Sequence, residues 1–286
     1  MHEHIDVLEA VNTPESRIRH PVQLFKEMWK DLLASRELAW RLMVRDISAQ
    51  YRQSFLGIIW AFIPPIATAV GLTLANQAQV INLGETELPY PAYVLFSMTL
   101  WQTFAEAVNG PVQAVTQAKP MLARINFPRE ALILSRLGQL GFNFAIKLIL
   151  ILGLFIWFQL VPPWTILLAP VALIHLIALG TSVGLFLSPL GMLYQDVSRG
   201  LTFLMGLWLF LTPVIYPPPE SGFFAVIVRL NPVAPLLGAT RDFSTIGSIN
   251  EPTSFWIASG VAIISLVVGW IFYRLAMPYA IERVSA

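Results

Sequence analysis

Residues 118 to 130, AKPMLARINFPRE, carry Lys119, Arg124, Arg129 and Glu130 together with Met121, Leu122, Ile125 and Phe127, between two long apolar runs. Basic ends around an apolar face suit docking on another protein better than simple solvation. Pro120 and Pro128 predict that the segment cannot continue the helices on either side of it. The reading is a short helix over about 118–130, with Met121, Leu122, Ile125 and Phe127 seated in a partner's socket. Arg124, Arg129 and Glu130 would orient it there, and Pro128 belongs to the same docking segment.

Glu106 and Lys147 are the second pair able to do electrostatic work, because each lies inside an apolar run. A lone charge at the centre of a bilayer costs about 2.5–3.5 kcal/mol. At about 1.5 Å per residue, Glu106 lies roughly 20 Å from Lys119 and Lys147 roughly 16 Å from Arg136. The two are thus at similar heights on consecutive helices. The expectation is a Glu106–Lys147 pair, or a shared polar cluster, that faces the interior and holds the helices together. His175 is expected to hydrogen-bond between helices, and His2 and His4 to be solvated. No metal-ligand cluster and no nucleophile beside a base is evident. There is also no Gly-x-x-x-x-Gly-Lys-Ser/Thr phosphate loop. Free energy for any transport must then come from a separate protein.

The elements that position these residues follow from composition. The 286 residues are 56% hydrophobic and 12% charged, against about 25% charged in an ordinary soluble domain. No cysteine is present, so disulfides are excluded. The first twenty residues are polar and charged, and no cleaved signal peptide is expected. A helix crosses the hydrocarbon core with about 20 residues. Runs free of Asp, Glu, Lys and Arg, or nearly so, place six spans at 56–78, 90–117, 137–159, 165–190, 200–217 and 254–274. Fifteen of the 18 Lys and Arg fall in 1–55, 119–136, 196–199 and 274–286. The positive-inside rule then puts both termini in the cytoplasm, and 118–130 with them.

Two further segments are amphipathic or broken. LFKEMWKDLLASREL sets Phe25, Met28, Trp29, Leu32 and Leu33 at helical spacing opposite Lys26, Glu27, Lys30 and Asp31, which reads as an interface helix along the inner leaflet. SGFFAVIVRLNPVAPLLGATRDF, 221–243, is too apolar for a free loop and is interrupted by Asn231-Pro232 and Pro235. It reads as a re-entrant external hairpin, with Arg229 and Arg241 solvated near the outer headgroups. The chain therefore divides into a tail at 1–21, an amphipathic helix and junction at 22–52, a six-helix domain at 53–275 and a C-terminal tail at 276–286.

The junction residues Arg45-Asp46, Tyr51-Arg52, Ser54, Leu56-Gly57, Trp60 and Pro64-Pro65 resemble the start of bacterial polysaccharide-export ABC transporter permeases. Phe127-Pro128-Arg129-Glu130 is similar to the end of that family's coupling loop. Tyr194-Gln195-Asp196-Val197 resembles its Tyr-Arg-Asp-Val, and Thr212 to Pro217 with Leu230-Asn231-Pro232 resembles its fifth-span exit and external hairpin. These matches run in order from about residue 22 to 275. Gln50 stands where the family often has a basic residue, and Gln195 where Arg is usual.

The resemblance implies an all-α inner-membrane protein of six spans, with a coupling helix between spans two and three and a re-entrant hairpin between spans five and six. It implies a homodimer with two cytoplasmic ATP-binding-cassette subunits that bind ATP and Mg, and this chain needs no cofactor of its own. The cargo implied is a lipid-linked polysaccharide of the O-antigen, capsule or teichoic-acid type, with O-antigen first. Membrane lipids are partners and nucleic acid is not. Arg45, Asp46, Tyr51, Arg52 and Asp196 would form the cytoplasmic junction. Trp60, Tyr93, Trp101, Trp208, Phe210 and Tyr216 would be candidates to line a conduit, since aromatic faces meet sugar C–H groups without fixing one linkage. The competing readings are an ABC permease for a small drug or lipid, a bare channel, and a membrane-embedded acyl- or glycosyltransferase.

Overall fold

The computed structural model describes residues 21–52, 55–78, 86–122, 124–125, 127–219 and 221–285. Among these residues the regular structure is entirely helical. The helices are α1 (Pro21–Ala34), α2 (Arg36–Arg52), α3 (Ile63–Gln77), α4 (Tyr90–Leu122) and α5 (Glu130–Trp157), followed by α6 (Ala169–Leu193), α7 (Gln195–Phe210), α8 (Phe223–Leu230), α9 (Val233–Thr245) and α10 (Pro252–Ser285). Short 3₁₀ turns lead into α3 (Gly57–Ala61) and α6 (Trp164–Leu168). Three stretches are long and apolar enough to cross a membrane: Glu130–Trp157, Trp164–Leu193 and Pro252–Val284. The pair α8 and α9 would make a fourth, but bends by 79° at Asn231-Pro232.

Helix α6 lies at the centre, packed against both α4 and α10. Small residues make this possible. A Cβ at Gly184 would lie 2.5 Å from the Val108 carbonyl oxygen, and one at Gly180 would lie 2.8 Å from Ala107 Cβ. Only glycine lets α4 come so near, which is how helices pack tightly where lipid is as apolar as leucine. On the opposite side Ser265 Oγ donates to Ser182 Oγ at 3.0 Å, joining α10 to α6. One buried cluster gathers around Phe104, Leu176, Leu236 and Leu237 at the hairpin end. A second, around Val115, Leu122, Met192, Tyr273 and Met277, lies at the loop end.

Three boundaries differ from the sequence reading. Helix α4 runs through Pro120 to Leu122, so the short separate helix expected over about 118–130 is the last turn of α4 and a loop. A proline this close to a helix end removes one ladder hydrogen bond. Burial of Ala118 and Leu122 on the same face as Ala114 and Val115 outweighs that loss. The chain then turns, with the Arg124 and Ile125 amides both donating to the Met121 carbonyl, and α5 starts at Glu130. The 22–52 segment is two helices, broken at the buried Ser35, whose hydroxyl donates to the Asp31 carbonyl at 2.6 Å. The expected tail at 276–286 continues α10 to Ser285, because Met277 and Ala280 bury into the loop-end cluster. Along α1, Met28 turns inward while Phe25, Trp29 and Leu33 stay exposed as a stripe. Ser54 lies outside the described residues.

Candidate functional site at the α4–α5 loop and the cleft behind it

The loop from α4 to α5 presents some of its residues and anchors others. Leu122 is buried in the loop-end cluster, and Met121 and Phe127 pack half-buried against it. Ile125 is 59% exposed, and Arg124 and Pro128 are exposed beside it. Glu130 is buried and accepts a hydrogen bond from Arg274 Nη1 at 3.1 Å. The Tyr273 hydroxyl donates to the Arg129 carbonyl at 3.3 Å. Arg274 Nη2 also reaches Asp31 Oδ2 at 2.6 Å and Glu27 Oε2 at 3.9 Å, both on α1. One guanidinium therefore ties α1, the start of α5 and α10 together, with Glu130 as its buried carboxylate. The outward face is Arg124, Ile125 and Pro128; Leu122 and Glu130 hold that face from behind. Sequence places Asp31 only on the polar face of an amphipathic helix and gives Arg274 and Tyr273 no role. The signal was a Tyr-Arg pair closing the apolar run of α10.

Behind the loop, α4 and α5 face each other through polar side chains. On α4 these are Gln102, Glu106, Asn109 and Gln113, and on α5 Arg136, Gln139, Asn143 and Lys147, each set at spacings of three and four residues. Such spacing makes one stripe along each helix. Most of them line a cavity of about 570 Å³, which shares Gln50, Glu106 and Asn143 with a smaller one of about 210 Å³. Lys147 Nζ lies 2.5 Å from Glu106 Oε1; Lys147 is buried, whereas Glu106 is partly open to the cleft. Asn143 Nδ2 donates to the other Glu106 oxygen at 3.3 Å, and the Tyr51 hydroxyl donates to Asn143 Oδ1 at 3.4 Å. Burial, and then the Glu106 charge, push the Tyr51 phenol up from its ordinary pKa. Gln139 Nε2 donates to Gln50 at 2.8 Å, and Arg136 donates to Gln139 and to Gln117. The neutral Gln50 thus serves as an amide partner.

The other junction residues are less connected to this cleft. Arg45 pairs with Asp46, which also lies 3.9 Å from Arg136. Arg52 is exposed. Asp196 pairs with Arg199 on its own helix at 3.8 Å, both well exposed. The amide stripe was legible only as Gln and Asn at helical spacing inside an apolar run, a pattern that charge counting passes over.

Four of the six candidate aromatics are committed to the protein. The buried Tyr93 donates to the carbonyls of Pro213 and Tyr216 at 3.1 and 2.9 Å. Trp101 is buried against Phe104. Trp208 Nε1 donates to Asn231 at 3.1 Å, and the Tyr216 hydroxyl to the Phe210 carbonyl at 2.7 Å. Only Trp60 and Phe210 keep more than half their surface exposed, and Trp60 borders the smaller cavity.

Arg241 corrects the expectation of a solvated headgroup contact. It is 5% exposed, with Nη2 at 3.2 Å from Asp242 Oδ1, Nη1 at 3.2 Å from Ser97 and the guanidinium 4.3 Å above the Tyr93 ring. Three partners on two elements replace the water that the sequence alone suggested. Arg229 is exposed at the rim of a cavity of about 450 Å³ beside it. His175 is also corrected: Nδ1 finds no hydrogen-bond partner among the described residues, and the ring meets Phe255 edge-on at 6.2 Å. Among the described residues no cluster of metal-binding side chains occurs.

Known proteins resemble this chain over most of its length. The family described as ABC-2 type transporter matches residues 37–243. The O-antigen export system permease protein RfbA of Myxococcus xanthus is 25% identical over 215 residues, 73% of this chain and 80% of that protein. A protein of the same name from Klebsiella pneumoniae is 24% identical over 249 residues, 82% of this chain and 91% of its own length.

Proposed function

The chain belongs to the ABC-2 type transporter family, and from that membership we propose that it is the permease subunit of an ABC exporter of lipid-linked O-antigen. It is a multi-pass membrane protein built of helices. The proposed topology has six crossings, with α3 to α7 and α10 as spans and α8–α9 as a re-entrant hairpin. The distribution of Lys and Arg supports a cytoplasmic loop end with both termini on that side. The membrane is then the bacterial inner membrane.

One observation carries the coupling part of this reading. The α4–α5 loop holds Ile125, Arg124 and Pro128 outward while Glu130 and Arg129 are fastened to α10, and through Arg274 to α1. A push on the outward face reaches three elements at once. Two cytoplasmic ATPase subunits, holding ATP and Mg, would supply that push to a homodimer of this chain. The cargo assignment is supported by the two relatives named for O-antigen export.

Deleting the gene and locating the glycan tests the function. A complete lipid-linked polymer retained in the cytoplasm is the expected result. Normal glycan at the cell surface would contradict it.

A further inference from the structure

The amide wall of the cleft has no place in a lipid-facing surface. The outward faces of α5 and α10 show what such a surface looks like here: Ile149, Leu152 and Ile156 on one helix and Ile257, Ile264 and Val268 on the other are exposed and apolar. The cleft face carries instead Gln102, Glu106, Asn109, Gln113, Gln139 and Asn143. Polar groups at membrane depth need water, protein or polar cargo against them. The open volume leaves room for cargo.

The chemistry of the wall selects what that cargo is. Its deep charge is paired, Glu106 with Lys147, and Arg136, which shares Asp46 with Arg45, lies at the loop end of the stripe. What remains are carboxamides. Gln102 and Gln113 each offer two donor hydrogens and an acceptor oxygen. Asn109, Gln139 and Asn143, already bonded to the Ala105 carbonyl, to Gln50 and Arg136, and to Glu106 and Tyr51, each keep one donor hydrogen and at least one oxygen lone pair. A sugar hydroxyl both donates and accepts, so it finds a partner on an amide in either sense. A chain of hydroxyls can shift along such a stripe and keep its hydrogen bonds, without any charge to hold it in one register. Tyr93, Trp101, Trp208 and Tyr216 are engaged elsewhere in the protein and do not compete for this role.

We infer that the amide stripe of α4 and α5 is a glycan-binding wall, contacting the hydroxyls of the polysaccharide as it passes. This inference rests on the export reading and names where its cargo touches the chain.

The natural chain has no cysteine, so single cysteines report cleanly. Gln113→Cys and Asn109→Cys are placed in the cleft, and Ile264→Cys on the apolar face. Each is treated, in inside-out membrane vesicles, with a cationic membrane-impermeant methanethiosulfonate reagent. Membranes come from cells with an inactive ATPase subunit, with or without the transferase that starts the lipid-linked glycan, and immunoblots match the amounts of variant. Without glycan, both cleft cysteines are expected to react roughly tenfold or more faster than Ile264→Cys, since a thiol in apolar surroundings ionises less. With glycan present their rates fall severalfold, and that of Ile264→Cys does not change.

Cleft cysteines as inert as Ile264→Cys, or equally reactive with and without glycan, overturn the inference. So does ready disulfide formation between two copies through Gln113→Cys in both membranes, which makes the wall a seam between protomers. Retained cytoplasmic glycan in the deletion strain, combined with any of these outcomes, removes the wall and leaves the export reading standing. Surface glycan in that strain removes the export reading itself.

Discussion

At the hairpin end Arg241 is sealed between Asp242, Ser97 and the Tyr93 ring, with both members of the ion pair almost fully buried. At the loop end Arg274 reaches Asp31, Glu130 and Glu27, yet Asp31 and Glu27 keep 42% and 44% of their side chains exposed, and Arg274 Nε has no hydrogen-bond partner among the described residues. The first site is a lock, since removing either partner strands a charge without water. The second is a clasp that holds the buried Glu130 and can exchange Asp31 for Glu27 at little cost in solvation. Under the proposed export reading, a sealed corner at the exit and an adjustable one at the driven end are what a chain pushed from one end requires.

Arg241→Leu should have the largest effect, because it leaves Asp242 buried and uncompensated, a loss of about 3–5 kcal/mol. The variant is expected to accumulate poorly and to unfold at lower temperature in detergent, and Arg241→Leu with Asp242→Leu should recover most of the loss. An unchanged melting temperature for the single variant would erase the contrast between the two ends. Arg274→Gln should come next and act on a different readout. Most folded protein is retained, because the glutamine amide can still donate to Glu130, while export falls roughly 5–150-fold, the scale of a coupling free energy of about 1–3 kcal/mol. Instability equal to that of Arg241→Leu would make the clasp a second lock.

A smaller and asymmetric effect is expected between the ends. Glu106→Gln strands the buried Lys147 ammonium, whereas Lys147→Met leaves Glu106 with its opening to the cleft. The first variant should therefore lower the melting temperature more than the second. The reverse order would mean that the cleft is drier than its geometry indicates. Asp196→Asn, in an exposed pair on one helix, should leave melting and export unchanged.

Much of this plan is written in the sequence because the relevant forces are local or one-dimensional. Charge-free runs mark helices, Asn231-Pro232 marks the bend between α8 and α9, and the heights of Glu106 and Lys147 follow from helical rise. What is less legible depends on burial by distant elements. Pro120 signals a stop, but the packing of Leu122 beside Leu132 and Met277 carries α4 past it. Arg241 looks solvated until Tyr93 and Ser97, far away in sequence, close over it. Leu122 and Ile125 are both apolar residues of one segment, and only the fold sends one inward and the other out. The amide stripe had its periodicity in plain view, yet uncharged polar residues carry no weight when spans are read from charge alone.

Co-purification of the ATPase subunit with an Arg124→Glu, Ile125→Asp double variant tests the central claim most directly. Both side chains point away from the protein, so the variant should accumulate and melt like the parent. The account predicts that the ATPase subunit no longer comes with it. An ATPase retained in full on that folded variant would contradict the claim that this loop receives the work of ATP hydrolysis.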